Sequence, residues 1–310
     1  KMSLIKNVIS RVLLNENLNP TLELELQTSY GIFRAQAPSC STNEQLSKRE
    51  LKALQNISQF SYDQIENLLP SDPNLRFACS RCLFLLYQTQ QRLSFLNLIQ
   101  NLTKKEKQNI PALIFDLCEA GNCRISISSQ TAANLTELLA NVTQFAEKLP
   151  IKSFQKFEFL EQISQLPQDP LIQIFVEPPQ ELEVKLETPL AKDESLESRL
   201  QKFAFFSCQN CAMNLKTFQQ LGQGGQKPIV VYNEFDNVQK MIYLLKHTKK
   251  VVLDLRGTQD PTAVQLAIGA NCEQAFVGQL WALSTWQKVN DFKRVEEGGE
   301  FMYGCEDWCI

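Results

Sequence analysis

The sequence predicts an α+β protein, and three observations carry that prediction. Leu22-Glu23-Leu24-Glu25-Leu26 alternates apolar and polar residues as a half-buried strand does. The stretch from Ser47 to Leu149 carries repeated helix-start signals and apolar residues at helical spacing. Two β-branched runs near the C-terminus, Ile229–Tyr232 and Val251–Leu255, alternate with helical segments, which is the pattern of a small β-α-β-α-β-β sandwich. The expected organisation is an N-terminal amphipathic helix over 1–19 and a mixed α/β region with a largely helical middle over 20–221. A Gly-rich linker over 222–228 and a compact α/β domain over 229–310 would complete it.

The chain has 310 residues, enough for a sizeable core and two domains. Hydrophobic content of 44% against 21% charged residues describes a globular protein. A net charge of −3 supplies no electrostatic pull on nucleic acid, so none is expected as a partner. Glutamine is about as abundant as Lys and Arg together, and glycine is scarce. Lys1 precedes Met2, the mark of an expression scar or of a chain cut from a longer precursor, and no signal peptide is expected.

In chain order, Leu4, Ile5, Val8, Ile9, Val12 and Leu13 fall on one face when residues 2–14 are wound at 100° per residue. Lys6 and Arg11 fall on the other. Such a helix either lies in a membrane interface or a partner's groove, or packs as the first helix of the chain's own core. Pro20 would stop it, and Tyr30–Phe33 would pair with Leu22–Leu26 as a hairpin. Ser47-x-x-Glu50, Ser61-x-x-Gln64 and Thr103-x-x-Glu106 have the capping-box form. Leu75–Leu102 reads as one long central helix and Thr131–Leu149 as another. Leu171–Val176 and Glu181–Glu187 read as a hairpin around Pro178-Pro179, and Lys202–Gln220 as a strand-helix piece.

In the last quarter, Val238, Ile242 and Leu245 recur at helical spacing after Asp236, an acceptable N-cap. Asp260-Pro261 opens a second, long helix, and Gly298-Gly299 before Phe301-Met302-Tyr303 reads as a hairpin turn. Val238-Gln239, Val251-Val252-Leu253-Asp254-Leu255 and Phe276-Val277-Gly278-Gln279-Leu280-Trp281-Ala282-Leu283 follow one another in this order. In that order, residues 227–304 resemble the core domain of the SepF family of bacterial cell-division proteins. The chain departs from that family in an overlong second helix, in Cys305 and Cys309 at the tail, and in the length of chain before the domain. The resemblance implies self-association through the second helix and sheet faces, with Phe276, Gly278 and Trp281 as the residues that carry it. It also implies a tether between a membrane, reached through residues 2–14, and a tubulin-like division GTPase.

Chemistry-bearing residues are few. His247 is the single histidine and sits at a lysine-rich helix end, where a cation suits the helix dipole. There is no P-loop and no dinucleotide fingerprint. Among the ten cysteines, Cys79-x-x-Cys82 and Cys208-x-x-Cys211 have the spacing with which two pairs hold a structural zinc. The competing readings are buried core residues, disulfide partners or, for Cys208 and Cys211, a redox dithiol. Cys118-x4-Cys123 is a looser pair across a turn. No catalytic residue and no cofactor other than that zinc is expected.

Taken together these features point to a non-enzymatic scaffold that binds protein partners, either as a homo-oligomer or within a large complex, with peripheral membrane contact. The alternative is a structural accessory subunit of an organellar or viral assembly. The expected location is intracellular, at the cytoplasmic face of a membrane or in an organelle, a plastid before a mitochondrion.

Overall fold

A computed structural model describes residues 4–14, 18–37, 51–55, 57–104, 109–120, 123–129, 131–149, 169, 171–177, 204–205, 229–232, 237–247, 251–256, 262–299 and 302–303. The fold is α+β, as the sequence predicts. The chain forms two compact units, each assembled from non-contiguous pieces: 1–106 with 232–248 and 257–270, and 107–231 with 249–256 and 271–310.

The first unit holds a three-stranded antiparallel sheet, β1 (Ile5–Leu14), β2 (Pro20–Thr28) and β3 (Gly31–Gln36), in that spatial order. β2 and β3 form the hairpin that the alternating leucines predict. Residues 5–14, however, are a strand and not an amphipathic helix. Leu4, Ile5, Val8, Ile9, Val12 and Leu13 satisfy helical spacing, but four of the six are β-branched and a ready antiparallel partner follows in β2. Pairing therefore distributes the stripe over both faces: Val8 and Val12 lie beside Leu26 and Leu22, Ile9 and Leu13 beside Glu25 and Thr21. Pro20 opens β2 instead of stopping a helix.

One face of this sheet is apolar, with Leu22, Leu24 and Leu26 buried. Helix α1 (Pro73–Gln91) packs against β2 and β3. The other face carries a cross-strand polar ladder. Arg11 bonds Glu23 at 3.1 Å and Glu25 at 2.9 Å, and Arg34 on β3 reaches Glu25 at 2.7 Å. Gln27 Nε2 donates to Glu25 at 2.8 Å. The hydrogen bonds from Gln27 and Arg34 hold the Glu25 carboxyl down at about 2.

The single long helix expected over Leu75–Leu102 is two helices, α1 and α2 (Phe95–Thr103). Asp72 caps α1 through the Leu75 amide, with Pro73 in the first turn, and Arg92 ends it in the left-handed region at φ 56°. Ser94 then caps α2 through the Asn97 amide at 3.1 Å. Thr103 closes α2, its hydroxyl donating to the Ile99 carbonyl at 2.9 Å, so it does not open a capping box. Ser61 and Gln64 do pair as their spacing predicts, the Gln64 side chain accepting from the Ser61 amide at 3.0 Å. Helices α4 (Val238–His247) and α5 (Ala263–Gly269) complete this unit beside α2. The Asn237 side-chain oxygen Oδ1, at the start of α4, accepts from the Gln239 amide at 2.7 Å; Asp236, the expected cap, lies outside the described residues.

The second unit is built on a seven-stranded mixed sheet in the order β8-β7-β6-β5-β11-β10-β9. Its strands are β5 (Ala112–Ala120), β6 (Cys123–Ser129), β7 (Ile172–Glu177), β8 (Ala204–Phe205), β9 (Ile229–Tyr232), β10 (Val251–Asp254) and β11 (Gln274–Gln279). Within the largely helical middle, residues 112–129 are the exception, because β5 and β6 pair antiparallel, with Ala120 beside Cys123 and Cys118 beside Ile125. The apolar run of β5 is continuous, a pattern that fits a buried strand as well as a helix, whereas β6 alternates Ile125 and Ile127 with Ser126 and Ser128 as a strand does. Helix α3 (Leu135–Glu147), capped by Asn134 through the Glu137 amide at 2.9 Å, packs on β6 and β7.

β10 and β11 run parallel, and β11 runs parallel to β5. The C-terminal strands therefore share one sheet with β5–β8, and 229–310 is not a separate sandwich. The linker expected at 222–228 lies outside the described residues. The long second helix expected after Asp260 is α5, then β11, then α6 (Leu283–Glu297). Gly298 ends α6, its amide bonded to the Val295 carbonyl at 3.1 Å, and β12 (Met302–Tyr303) pairs parallel with β4 (Asn109–Ile110), so no hairpin forms at the Gly-Gly pair.

Candidate functional site

The richest geometry in the second unit lies at the carboxyl end of β10, beside the middle of β11 and of β5. Asp254 closes β10 and stands beside Phe276 of β11 in the parallel register; two residues later Arg256 folds back over both. Arg256 Nε donates to the two Asp254 oxygens at 2.9 and 3.0 Å, and Nη2 donates to Oδ2 at 2.6 Å. The guanidinium carbon sits 4.6 Å from the centre of the Phe276 ring, a cation–π approach. Beyond that ring, Arg256 Nη1 comes to 3.7 Å from Asp116 Oδ1 on β5. Ser126 of β6, directly across from Asp116, donates its hydroxyl to the same Oδ1 at 2.6 Å.

One arginine thus spans three neighbouring strands, a width of about 10 Å at ordinary strand spacing. Asp116, Asp254 and Ser126 are all buried. Charged groups persist at such burial only when paired and hydrogen-bonded, and here each carboxylate has both kinds of partner. The cluster holds the sheet's carboxyl edge together.

That edge shapes the turn which follows. The pairing of β11 with β5 shifts between Phe276 and Gly278, leaving Val277 as a bulge. The Val277 carbonyl accepts from Lys288 Nζ at 3.2 Å and Thr285 Oγ1 at 3.4 Å, both on α6 and both buried. Gly278 has φ +115°, and a β-carbon there would stand 2.8 Å from Thr285 Oγ1, so glycine is required. Leu280 is buried, and its amide donates to the Asp116 carbonyl at 2.9 Å. The Ala282 amide closes the turn on the Gln279 carbonyl at 3.0 Å. Between these anchored points Trp281 is 65% exposed, and Leu283, the first residue of α6, is 75% exposed.

The three residues expected to carry self-association therefore divide. Phe276 and Gly278 are buried on a central strand and not on a helix face; Trp281 alone presents its side chain to solvent. The expected zinc ligands divide also. Cys208 and Cys211 lie outside the described residues. Cys79 and Cys82 are fully buried on α1 in the first unit, among core side chains. The Cys82 thiol lies 3.5 Å from the Leu24 carbonyl of β2, which lets the helix approach the sheet closely. Burial pushes the Cys79 thiol up to about 12, away from the thiolate that zinc requires. Among the described residues no three His, Cys, Asp or Glu side chains gather as a metal site. His247 occupies the last turn of α4 with its ring 4.5 Å from Tyr243.

The Asp116–Arg256–Asp254 cluster escapes the sequence reading, although one signal points to it. Leu113-Ile114-Phe115-Asp116-Leu117 and Val251-Val252-Leu253-Asp254-Leu255 share a pattern: three apolar residues, one aspartate, one leucine. A lone carboxylate at the end of each buried run marks two strands whose acids need a common cation. No helix among the described residues is long and apolar enough to cross a membrane. No family model matches the chain, and neither does any curated protein.

Proposed function

We propose that this chain is a non-catalytic scaffold subunit that docks a partner protein through the turn between β11 and α6. The observation that carries this reading is Trp281 at 65% and Leu283 at 75% exposure on a turn held by buried Leu280 and by the hydrogen-bonded amides of Leu280 and Ala282. Tryptophan in such a setting is a strong interface anchor, because it offers a large contact area at little conformational cost. The buried carboxylates nearby support the same reading, since Asp116 and Asp254 are engaged by Arg256 and Ser126 as structural groups. Phe276 and Gly278 support the turn from beneath without touching the partner.

The resemblance of residues 227–304 to the SepF family makes a tubulin-like division GTPase the first partner to assay. A membrane tether through residues 2–14 is not part of the proposal, because Ile5–Leu14 is a strand. The test immobilises the full chain and titrates the purified GTPase, comparing it with the W281A/L283S double variant. A hot spot of at least 2 kcal/mol predicts affinity lower by about thirtyfold or more for the variant, with an unchanged circular dichroism spectrum. Equal affinity of the two chains rejects the turn as the docking surface. If the GTPase does not bind, the same comparison is made on complexes isolated from the native source. A fixed stoichiometry that survives in wild type and fails in the variant identifies an accessory subunit.

A further inference from the structure

Asp116 stands beside an irregularity on each side of β5. Toward β6 the register shifts between Asp116 and Cys118. Toward β11 it shifts between Phe276 and Gly278, after which Gln279 lies beside Asp116. A bulge disrupts the ladder locally, so less of the hold on such a residue comes from strand pairing. Here the side chain adds to it: Asp116 Oδ1 accepts from the Ser126 hydroxyl at 2.6 Å and lies 3.7 Å from Arg256 Nη1. The main chain of the same residue takes up the turn, its carbonyl accepting from the Leu280 amide at 2.9 Å. Leu280 is fully buried, and the residue after it is the exposed Trp281. One aspartate is thus held through its carboxylate and holds the turn through its carbonyl.

We infer that Asp116 is a positioning residue for Trp281, its carboxylate setting the angle at which its own carbonyl presents the Leu280–Trp281 turn. The inference rests on the reading of that turn as a docking surface. A turn kept in one conformation spares a partner the cost of ordering it, which is the advantage of preorganisation. On the other side of Gly278 and Gln279, Thr285 and Lys288 hold the Val277 carbonyl, so the turn is anchored at both ends. The Asp116 anchor is the one that depends on side chains from other strands, Ser126 on β6 and Arg256 just after β10. A change at Ser126, whose strand is separated from β11 by β5, is therefore expected to reach Trp281.

The full chain is labelled with 5-fluorotryptophan, and the Trp281 fluorine resonance is identified by its loss in W281F. Wild type is expected to give one narrow Trp281 line. D116N keeps the shape of the side chain and leaves Arg256 bonded to Asp254, so the fold is retained. In D116N and S126A the Trp281 line is expected to broaden or split while the other tryptophan lines stay put. The Leu280 amide is expected to exchange about tenfold faster in both. V142A, a cavity variant at a buried position of α3, lowers stability outside this network and is expected to leave the Trp281 line narrow. Circular dichroism reports whether D116N folds; should it fail to, S126A, the smaller change, carries the test. A Trp281 line as narrow in the variants as in wild type overturns the inference, and so does equal broadening in V142A. No partner enters these measurements, so a chain that shows the expected signature and binds nothing through Trp281 rejects the docking turn and leaves the positioning standing. Where a partner binds, D116N is expected to weaken it about three- to tenfold, less than W281A/L283S does.

Discussion

Among single residues, Arg256 has the largest structural reach. It holds Asp254 through a forked contact, covers Phe276 and approaches Asp116, so its loss leaves two buried carboxylates facing an apolar sheet. Removing one member of a buried pair typically costs 3–5 kcal/mol, far more than the net worth of the pair, and R256M is expected to lose about that much in urea unfolding. A triple variant that also makes both aspartates apolar, D116L/D254L/R256M, should recover much of the loss; an R256M chain as stable as wild type would show the cluster to be incidental. This group was only partly legible in the sequence. Each aspartate stands out at the end of an apolar run, but about 140 residues separate them, and residue spacing carries no information about which distant strands become neighbours.

At the level of elements, legibility follows the character of the apolar pattern. Strict alternation has one solution, and β2 with its partner β3 appears where Leu22–Leu26 places it. Continuous apolar runs have two solutions, which is why β5 reads as helical. Paired apolar residues at 4–5, 8–9 and 12–13 fit a helical stripe and a two-faced strand equally, and only the β2 neighbour decides for β1. The break between α1 and α2 depends on Arg92 adopting the left-handed region, a conformation that arginine chemistry does not announce. Phe276–Leu283 was legible as a unit of sequence but not as strand plus turn, since its central feature is a bulge. The bulge makes a sharp prediction. Alanine at Gly278 meets Thr285 Oγ1 at 2.8 Å and must hold φ +115°, so G278A is expected to lower stability by about 1–3 kcal/mol. Wild-type stability in G278A would place the strain elsewhere.

For the molecule as a whole, the interleaving of the two units is the decisive property. The sequence suggests a cut near 222–228, yet β11 lies between β10 and β5, so this interior strand of the larger sheet takes neighbours from both sides of that cut. A fragment of residues 222–310 is therefore expected to lack cooperative unfolding by circular dichroism, because β11 loses the whole β5 edge and Arg256 loses Asp116. Cooperative melting of that fragment would restore the C-terminal quarter as an autonomous domain. Pairing of strands some 160 residues apart also predicts slow assembly, since the closing of so long a loop precedes the contacts that reward it.

The parallel seam between β5 and β11 has a further consequence for how such a chain is inherited. A domain with contiguous ends can be shuffled, fused or lost as one segment of a gene. Here neither unit has contiguous ends, because each surrenders part of its length to the other twice before the chain is finished. Recombination at any single point within residues 107–270 would sever both units at once, so over that span the turn that carries Trp281 and the sheet that carries Leu14 are inherited together.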